Sequence, residues 1–483
     1  MVFLFVLLNV IISPSLHAAD ELPPSGITNV DRNLLKATQQ VLNYVSSPVF
    51  TAEDCEPFLN NIYSEIFSTS PDYFEKRVLE TQHTDIANNL WLSRIALREK
   101  LKKWHDEKLL AGNCVGALKK AQRVGRSLED YLLALSASNP RLLDDRSNAT
   151  KVFEGPRQAL QVEPRVGEIK LVSGDVLLSR GSAMTTALLA RVADQGSEFS
   201  NLAIYHLDEK GAGHVVESQL DVGAVVTSWE SYRADGKSRM TVYRHADAKV
   251  AAESAKKIFQ KISASKGAKK IQYDFAMDSK DHKNLYGAEL VALAYDLGSQ
   301  GKIKLPQFPS KVTVPDDLLQ RLTMNSKEIF APADIELDSR FQLIGEWRDL
   351  NQVGVVHEID SVMTAMLTWI QDKDYELKES WRTALLKYAT WNGRRLPAME
   401  HSTKEKFPKN MPPSLVGTVK TLQDVGEILA QDLSIQNMKT SARTGFRMTP
   451  TQMIAYLEDV RAQDAAEWKK TFGRAKFHDR FRP

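Results

Sequence analysis

Between positions 201 and 289 the chain gathers side chains of acid–base chemistry: Glu217, Asp274, Asp278, Asp281, His282 and Glu289. Carboxylates and imidazoles in one cleft serve as general acids and bases, or hold a cation through oxygen ligands. Their spacings match no established metal motif, and ordinary surface acids account for most of them. His214 and His282 lie near Glu217 and Gly287 in sequence, but a single histidine among polar loop residues is ordinarily solvated. His206 stands five residues from Asn201, so strand alternation turns it to the other face. No Ser–His pair has motif support, and both cysteines, Cys55 and Cys114, lie outside this stretch. The segment therefore has no thiol to activate.

The elements that must position these groups are short strands and a few helices. Strands are expected at Ile169 to Leu171, Asp175 to Ser179, Leu202 to Tyr205, His214 to Glu217 and Met240 to Tyr243. Helical periodicity covers Ala183 to Ala193, Ala248 to Ala264 and Tyr286 to Leu297. Before this stretch, from Val30 to about Asp144, apolar residues recur at spacings of three and four, including Leu34, Val41, Leu90, Leu92 and Ile95. That pattern predicts a helical domain whose apolar faces are core. After Pro306 the pattern is helical again, near Ile359 to Gln371, Lys378 to Trp391, Ser414 to Gln431 and Thr449 to Phe472. The tail from Lys469 to Pro483 reads as a solvated basic end. The expected class is α+β, a mixed domain flanked by two all-helical regions.

Composition limits the function classes. A chain of 483 residues, 43% hydrophobic and 26% charged, can bury real cores, which excludes disordered and collagen-like readings. With 63 basic against 61 acidic residues there is no global basic field, so nucleic acid is not an expected partner. Residues 1–19 resemble a secretory leader: an apolar run from Val2 to Ile12, Ser13-Pro14, and small residues at Ala18 and Ala19. No basic residue precedes the run, and a buried first element is the alternative. The run is too short to span a bilayer, and no later one reaches that length. An exported protein, periplasmic or secreted and without a transmembrane anchor, is expected. In an oxidising compartment Cys55 and Cys114 permit one intramolecular disulfide, with two free thiols as the alternative. The expected divisions are 1–19 leader, 20–160 helical domain, 161–310 mixed domain and 311–483 helical region.

The order of motifs in the mixed domain resembles the YiiX/YaeF-type permuted papain-like amidases, relatives of the NlpC-type cysteine hydrolases. The resemblance runs through Gly174-Asp175-Val176-Leu177, the small-residue helix from Ser182 to Ala193, Ser200-Asn201-Leu202-Ala203-Ile204, Val215-Val216-Glu217-Ser218, Tyr273-Asp274-Phe275 and Tyr286-Gly287-Ala288-Glu289-Leu290-Val291. It covers roughly residues 167 to 310 and implies a permuted papain-like domain with an antiparallel sheet and packed helices. It implies a cysteine at a helix start facing a histidine on the sheet, where imidazole and helix dipole together lower the thiol pKa. Here those two positions hold Gly287 and Asn201, so the family mechanism is absent.

The resemblance thus implies a catalytically degenerate binding module for a peptide-like or acylated envelope ligand, such as a peptidoglycan fragment or acyl lipid, with no cofactor and no metal. Asn201, Glu217, Tyr273, Asp274, Tyr286, Gly287 and Glu289 would line its cleft, Gly287 leaving room for the ligand. One alternative is an active amide or ester hydrolase using Glu217 or His282 in a non-thiol mechanism. Another is a structural envelope protein with a vestigial cleft.

Overall fold

The structure is a computed structural model that describes residues 31–68, 73–110, 112–138, 149–150, 157–161, 169–193, 197–265, 267–278, 282–378, 410–471 and 475–483. The leader-like segment, the helix expected at Lys378 to Trp391 beyond Lys378, and Asp281 lie outside these residues.

Four helices come first: α1 (Leu34–Ser46), α2 (Cys55–Ser68), α3 (Lys76–Asp106) and α4 (Gly112–Ser138). The Asn33 side chain caps α1 by accepting from the Lys36 N–H at 3.1 Å. Their core joins Leu34, Val41, Phe50, Leu79, Ile86, Leu97, Leu101, Leu118 and Leu132. Leu92, expected in that core, is 38% exposed, and its neighbour Trp91 is buried in a different core, with Val176, Leu178 and Leu202. A disulfide between Cys55 and Cys114, with Cα atoms 5.5 Å apart, ties α2 to α4.

An eight-stranded antiparallel sheet follows. Its strands are β1 (Ala149–Thr150), β2 (Arg157–Gln161), β3 (Val176–Arg180), β4 (Asn201–Leu207), β5 (Gly213–Gln219), β6 (Gly223–Ser228), β7 (Arg239–His245) and β10 (Phe341–Asp349), in the order β1-β2-β10-β7-β3-β4-β5-β6. Two short pairs stand apart, β8 (Ser310–Lys311) with β9 (Glu328–Ile329), and β11 (Glu376–Leu377) with β12 (Phe481–Arg482). The mixed helix-and-sheet class is as expected. Ile169 to Leu171, expected as a strand, is irregular; Ile169 and Leu171 still pack on the sheet.

Alternation gives the sheet two faces. Val176, Leu178, Leu202, Ile204 and Val216 point toward α7 (Ala248–Ala264) and α8 (Gly287–Gly298), which follow α5 (Met184–Arg191) and α6 (Trp229–Ala234) in the chain. Leu177, Ala203, Tyr205, Val215, Met240 and Trp347 form the opposite face with Tyr232 of α6. Gly174 precedes β3 at φ +97°, where a β-carbon would run into the Ala251 backbone, so helix α7 can approach the sheet closely.

The C-terminal region, read as helical, also supplies β10. After α9 (Asp316–Arg321), this strand hides from a hydrophobicity pattern because Glu346, Arg348 and Asp349 are buried charges within it. Helices α10 (Leu350–Asp372), α11 (Pro413–Thr444) and α12 (Pro450–Thr471) then join the same core as α7 and α8. Among the described residues no helix is long and apolar enough to cross a membrane. The tail is not a solvated end: Phe477 and Phe481 are fully buried, Phe477 stacking on Trp369 at 6.1 Å, while Asp464 accepts the His478 N–H at 3.0 Å. Aromatic burial outweighs the basic residues spaced between them.

Candidate functional site

Helix α8 starts at Gly287, and its first turn abuts the beginning of β4, where Asn201 stands. A β-carbon at residue 287 would press on the Asn201 amide oxygen, and would lie 2.6 Å from the Leu202 carbonyl oxygen and 3.1 Å from its nitrogen. The two positions are face to face. The room expected at Gly287 for a ligand is not there: the Asn201 side chain and the Leu202 backbone fill it. Glycine is needed for the helix to touch the strand.

Glu217 completes the group. Asn201 Nδ2 donates to Glu217 Oε2 at 3.3 Å, while Gln219 Nε2 and Thr227 Oγ1 donate to Oε1 at 2.8 and 3.3 Å. The register explains the convergence, since Ser179 pairs with Asn201, and Ala203 with Glu217, across three neighbouring strands. Tyr232 Oη donates to Ser179 Oγ at 3.3 Å, and the Lys237 ammonium lies 3.8 Å from the Tyr232 ring centre. Burial raises the Glu217 carboxyl above its ordinary range, opposed by Lys237 and the donated hydrogen bonds. The polar groups are bonded to one another, and the arrangement contains no thiol beside an imidazole.

The other expected site residues divide. Asp274 takes the Ala276 and Asp278 N–H groups at 3.0 and 3.3 Å, a local turn, with its carboxyl raised by burial. Tyr273 is buried, and its carbonyl accepts from Asn410 at 2.7 Å. Tyr286 caps α8: its N–H donates to Glu289 Oε2 at 3.1 Å, and its hydroxyl donates to the Phe330 carbonyl at 3.1 Å. His282 is exposed. Together with Glu289, Ala292, Leu293 and Asp296 it lines a groove of about 490 Å³. At about 100° per residue those four helix positions lie across α8 from Gly287. Glu217 and His282 therefore do not share a site. His206 packs on Phe259 of α7 at 4.6 Å, on the face away from Asn201, and His214 bonds Asp208 at 3.0 Å.

A second constellation, missed from sequence, sits where α3 and α4 meet β7, β10 and α10. Arg94 pairs with Glu129 at 2.7 Å and Glu346 at 3.0 Å, Arg126 with Glu346 at 3.1 Å and with Glu336, and Arg348 with Glu346 at 2.7 Å and with Glu129. All are buried. Burial would raise the Glu346 carboxyl, but Arg126, Arg94 and Arg348 overcome it and hold it well below the usual range. Arg94 follows Leu90 by four residues and precedes Leu97 by three, on the buried stripe of α3. A charge at such a position was the available signal.

Beside this network Asp130, Glu198 and His357 bring one donor atom each within 4.8 Å of the others, the spacing of metal ligands. An added cation does not fit. Arg239 pairs with Asp130 and, at 3.1 Å, with Glu198; Arg348 Nε lies 3.3 Å from Asp130, and Arg191 3.7 Å from Glu198. Guanidinium groups already supply the positive charge. His357 is pushed down to about 4, chiefly by burial, with Glu198 pulling the other way. No protein-family model, characterised protein or solved structure gives a significant match to this chain.

Proposed function

We propose that the chain is an exported, catalytically degenerate relative of the permuted papain-like amidases, a binding module for a peptide-like or acylated envelope ligand. The observation that carries this reading is the apposition of Asn201 with Gly287, with Glu217 bonded behind them. In the family that is the meeting point of base and nucleophile; here it offers an amide and a buried carboxyl instead. The Asn201 amide can donate and accept, and the Glu217 carboxyl accepts, which suits an amide or hydroxyl of a ligand. The Cys55–Cys114 disulfide supports an oxidising compartment.

The test is a mass-spectrometric product assay on the protein offered peptidoglycan fragments and acylated lipids. The expected outcome is ligand retained and recovered uncleaved, with retention lost in Asn201→Leu and in Glu217→Ala. Cleavage that disappears in Glu217→Gln would replace the reading with a carboxyl-based hydrolase. No retention by the unmodified protein would leave the structural role as the better account.

A further inference from the structure

We propose that the outer face of α7 docks on an anionic phospholipid surface. This attachment is independent of the Asn201–Glu217 reading. From Lys249 to Lys270 the sequence carries seven Lys and one Glu, whereas the whole chain has a formal net charge of only +2, so positive charge is concentrated here and the remainder is net acidic. Ala251, Ser254, Ala255, Ile258 and Ile262 are the buried stripe of α7. At about 100° per residue, Lys249, Glu253, Lys256 and Gln260 fall on the opposite side. Lys249, Lys256, Lys261 and Lys269 are exposed, and Lys270 is half-buried.

The acids around the helix are engaged elsewhere. Glu253 pairs with Lys257 at 3.6 Å, Asp208 with His214 at 3.0 Å, and Asp296 with Lys304. Asp247 caps α7, accepting the Lys249 and Val250 N–H groups at 3.0 Å. Among the described residues no carboxylate forms an ion pair with Lys249, Lys256, Lys261, Lys269 or Lys270. The β4–β5 and β5–β6 turns add Glu209 and Asp221, and Lys210 offsets one of them. Because the apolar side of α7 lies in the core, the helix does not sink into hydrocarbon; each lysine instead strengthens attachment to a negatively charged surface about fivefold. A bilayer rather than a dissolved polyanion is favoured by an apolar tip beside the helix. Leu207 is 43% and Val172 39% exposed. Ser173 Oγ accepts the Leu207 N–H at 2.9 Å, which makes the two neighbours, and Gly174 seats the same loop against Ala251 of α7. Such side chains gain by entering the headgroup boundary.

Vesicle flotation of the protein tests this, with mixed phosphatidylglycerol–phosphatidylcholine vesicles set against phosphatidylcholine alone. The protein is expected to float with the anionic vesicles only, and to be released as salt approaches about 1 M, where the Debye length is about 3 Å. Lys249→Gln, Lys256→Gln and Lys261→Gln together are expected to weaken attachment on the order of a hundredfold. Lys102→Gln, Lys439→Gln and Lys469→Gln, which remove the same charge from exposed positions on α3, α11 and α12, are expected to leave it unchanged. If the first set lowers the melting temperature, Lys256→Gln and Lys261→Gln taken singly decide, each with a loss of about fivefold. Leu207→Ser is expected to weaken vesicle attachment without altering retention of soluble polyphosphate. No flotation with anionic vesicles, equal flotation with both vesicle types, equal losses in the two lysine sets, indifference to Leu207→Ser, or polyphosphate bound by a protein that ignores anionic vesicles would each overturn the proposal.

Discussion

The carbonyl oxygen of Leu202 stands 2.6 Å from the point a β-carbon on Gly287 would occupy. Because the obstruction is backbone rather than the end of a flexible side chain, no rotamer change relieves it. Gly287→Ala is expected to destabilise the protein by about 3 kcal/mol, at the upper end of overpacking costs, read as a lower urea midpoint. Gly116→Ala is the control, a helical glycine with nothing within 4 Å of the new atom, and is expected to stabilise slightly. The Asn201→His plus Gly287→Cys variant puts a larger side chain in place of Asn201 and leaves the Leu202 backbone in the way. It is expected to show no thiol-dependent cleavage of amide substrates, and vigorous cleavage would show that Leu202 can yield.

Glu346 is the acceptor on which Arg94, Arg126 and Arg348 converge. Glu346→Gln is expected to cost about 3–5 kcal/mol, the penalty for leaving buried charge uncompensated, measured by denaturant unfolding. Its folded pKa is depressed, so its stabilisation is complete above the unfolded value and is lost as pH falls below about 4.5. The variant should therefore lose less stability than the unmodified protein on acidification in that range.

His357 titrates in a separate window. Its folded pKa of about 4 lies below the unfolded value of 6.5, so the unfolded chain takes up a proton that the folded chain refuses between those limits. Stability is expected to fall as pH drops from 6.5 toward 4, by an amount on the order of 3 kcal/mol for this group alone. His357→Asn should flatten that part of a stability–pH profile; an unchanged slope would mean that the imidazole is protonated in the folded protein.

Reduction of the Cys55–Cys114 bridge, or Cys55→Ser with Cys114→Ser, is expected to cost roughly 2–4 kcal/mol. The loss should appear in the melting temperature. Binding at Asn201 should persist in the folded fraction, since the bridge joins α2 to α4.

Much of the sheet was legible because β3, β4, β5 and β7 carry apolar runs bounded by turn residues, and α7 and α8 keep a clear helical period. That positions 201 and 287 would face one another was implied by the family resemblance, not by the pattern of the residues. Other features were hidden for physical reasons. The edge strand β6 is short and largely half-buried, so its alternation is weak. Charges at 94, 126, 239 and 348 look like surface residues until their partners, up to 252 positions away, are brought beside them. In the tail, Phe477 and Phe481 are separated by charged residues, which conceals a docking segment behind a basic composition. Gly287 looked like open space because sequence does not reveal how closely a backbone passes.

The position of β10 between β2 and β7 makes order of synthesis and order of assembly part company. While the chain emerges from the ribosome, β2 and β7 must wait with unpaired edges until residue 349 is out, and such edges invite pairing with other chains. A fragment ending at the apparent close of the amidase-like segment would keep that exposed edge permanently. The segment up to residue 310 therefore cannot close its own sheet; the strand that fits between β2 and β7 begins 50 residues beyond Val291.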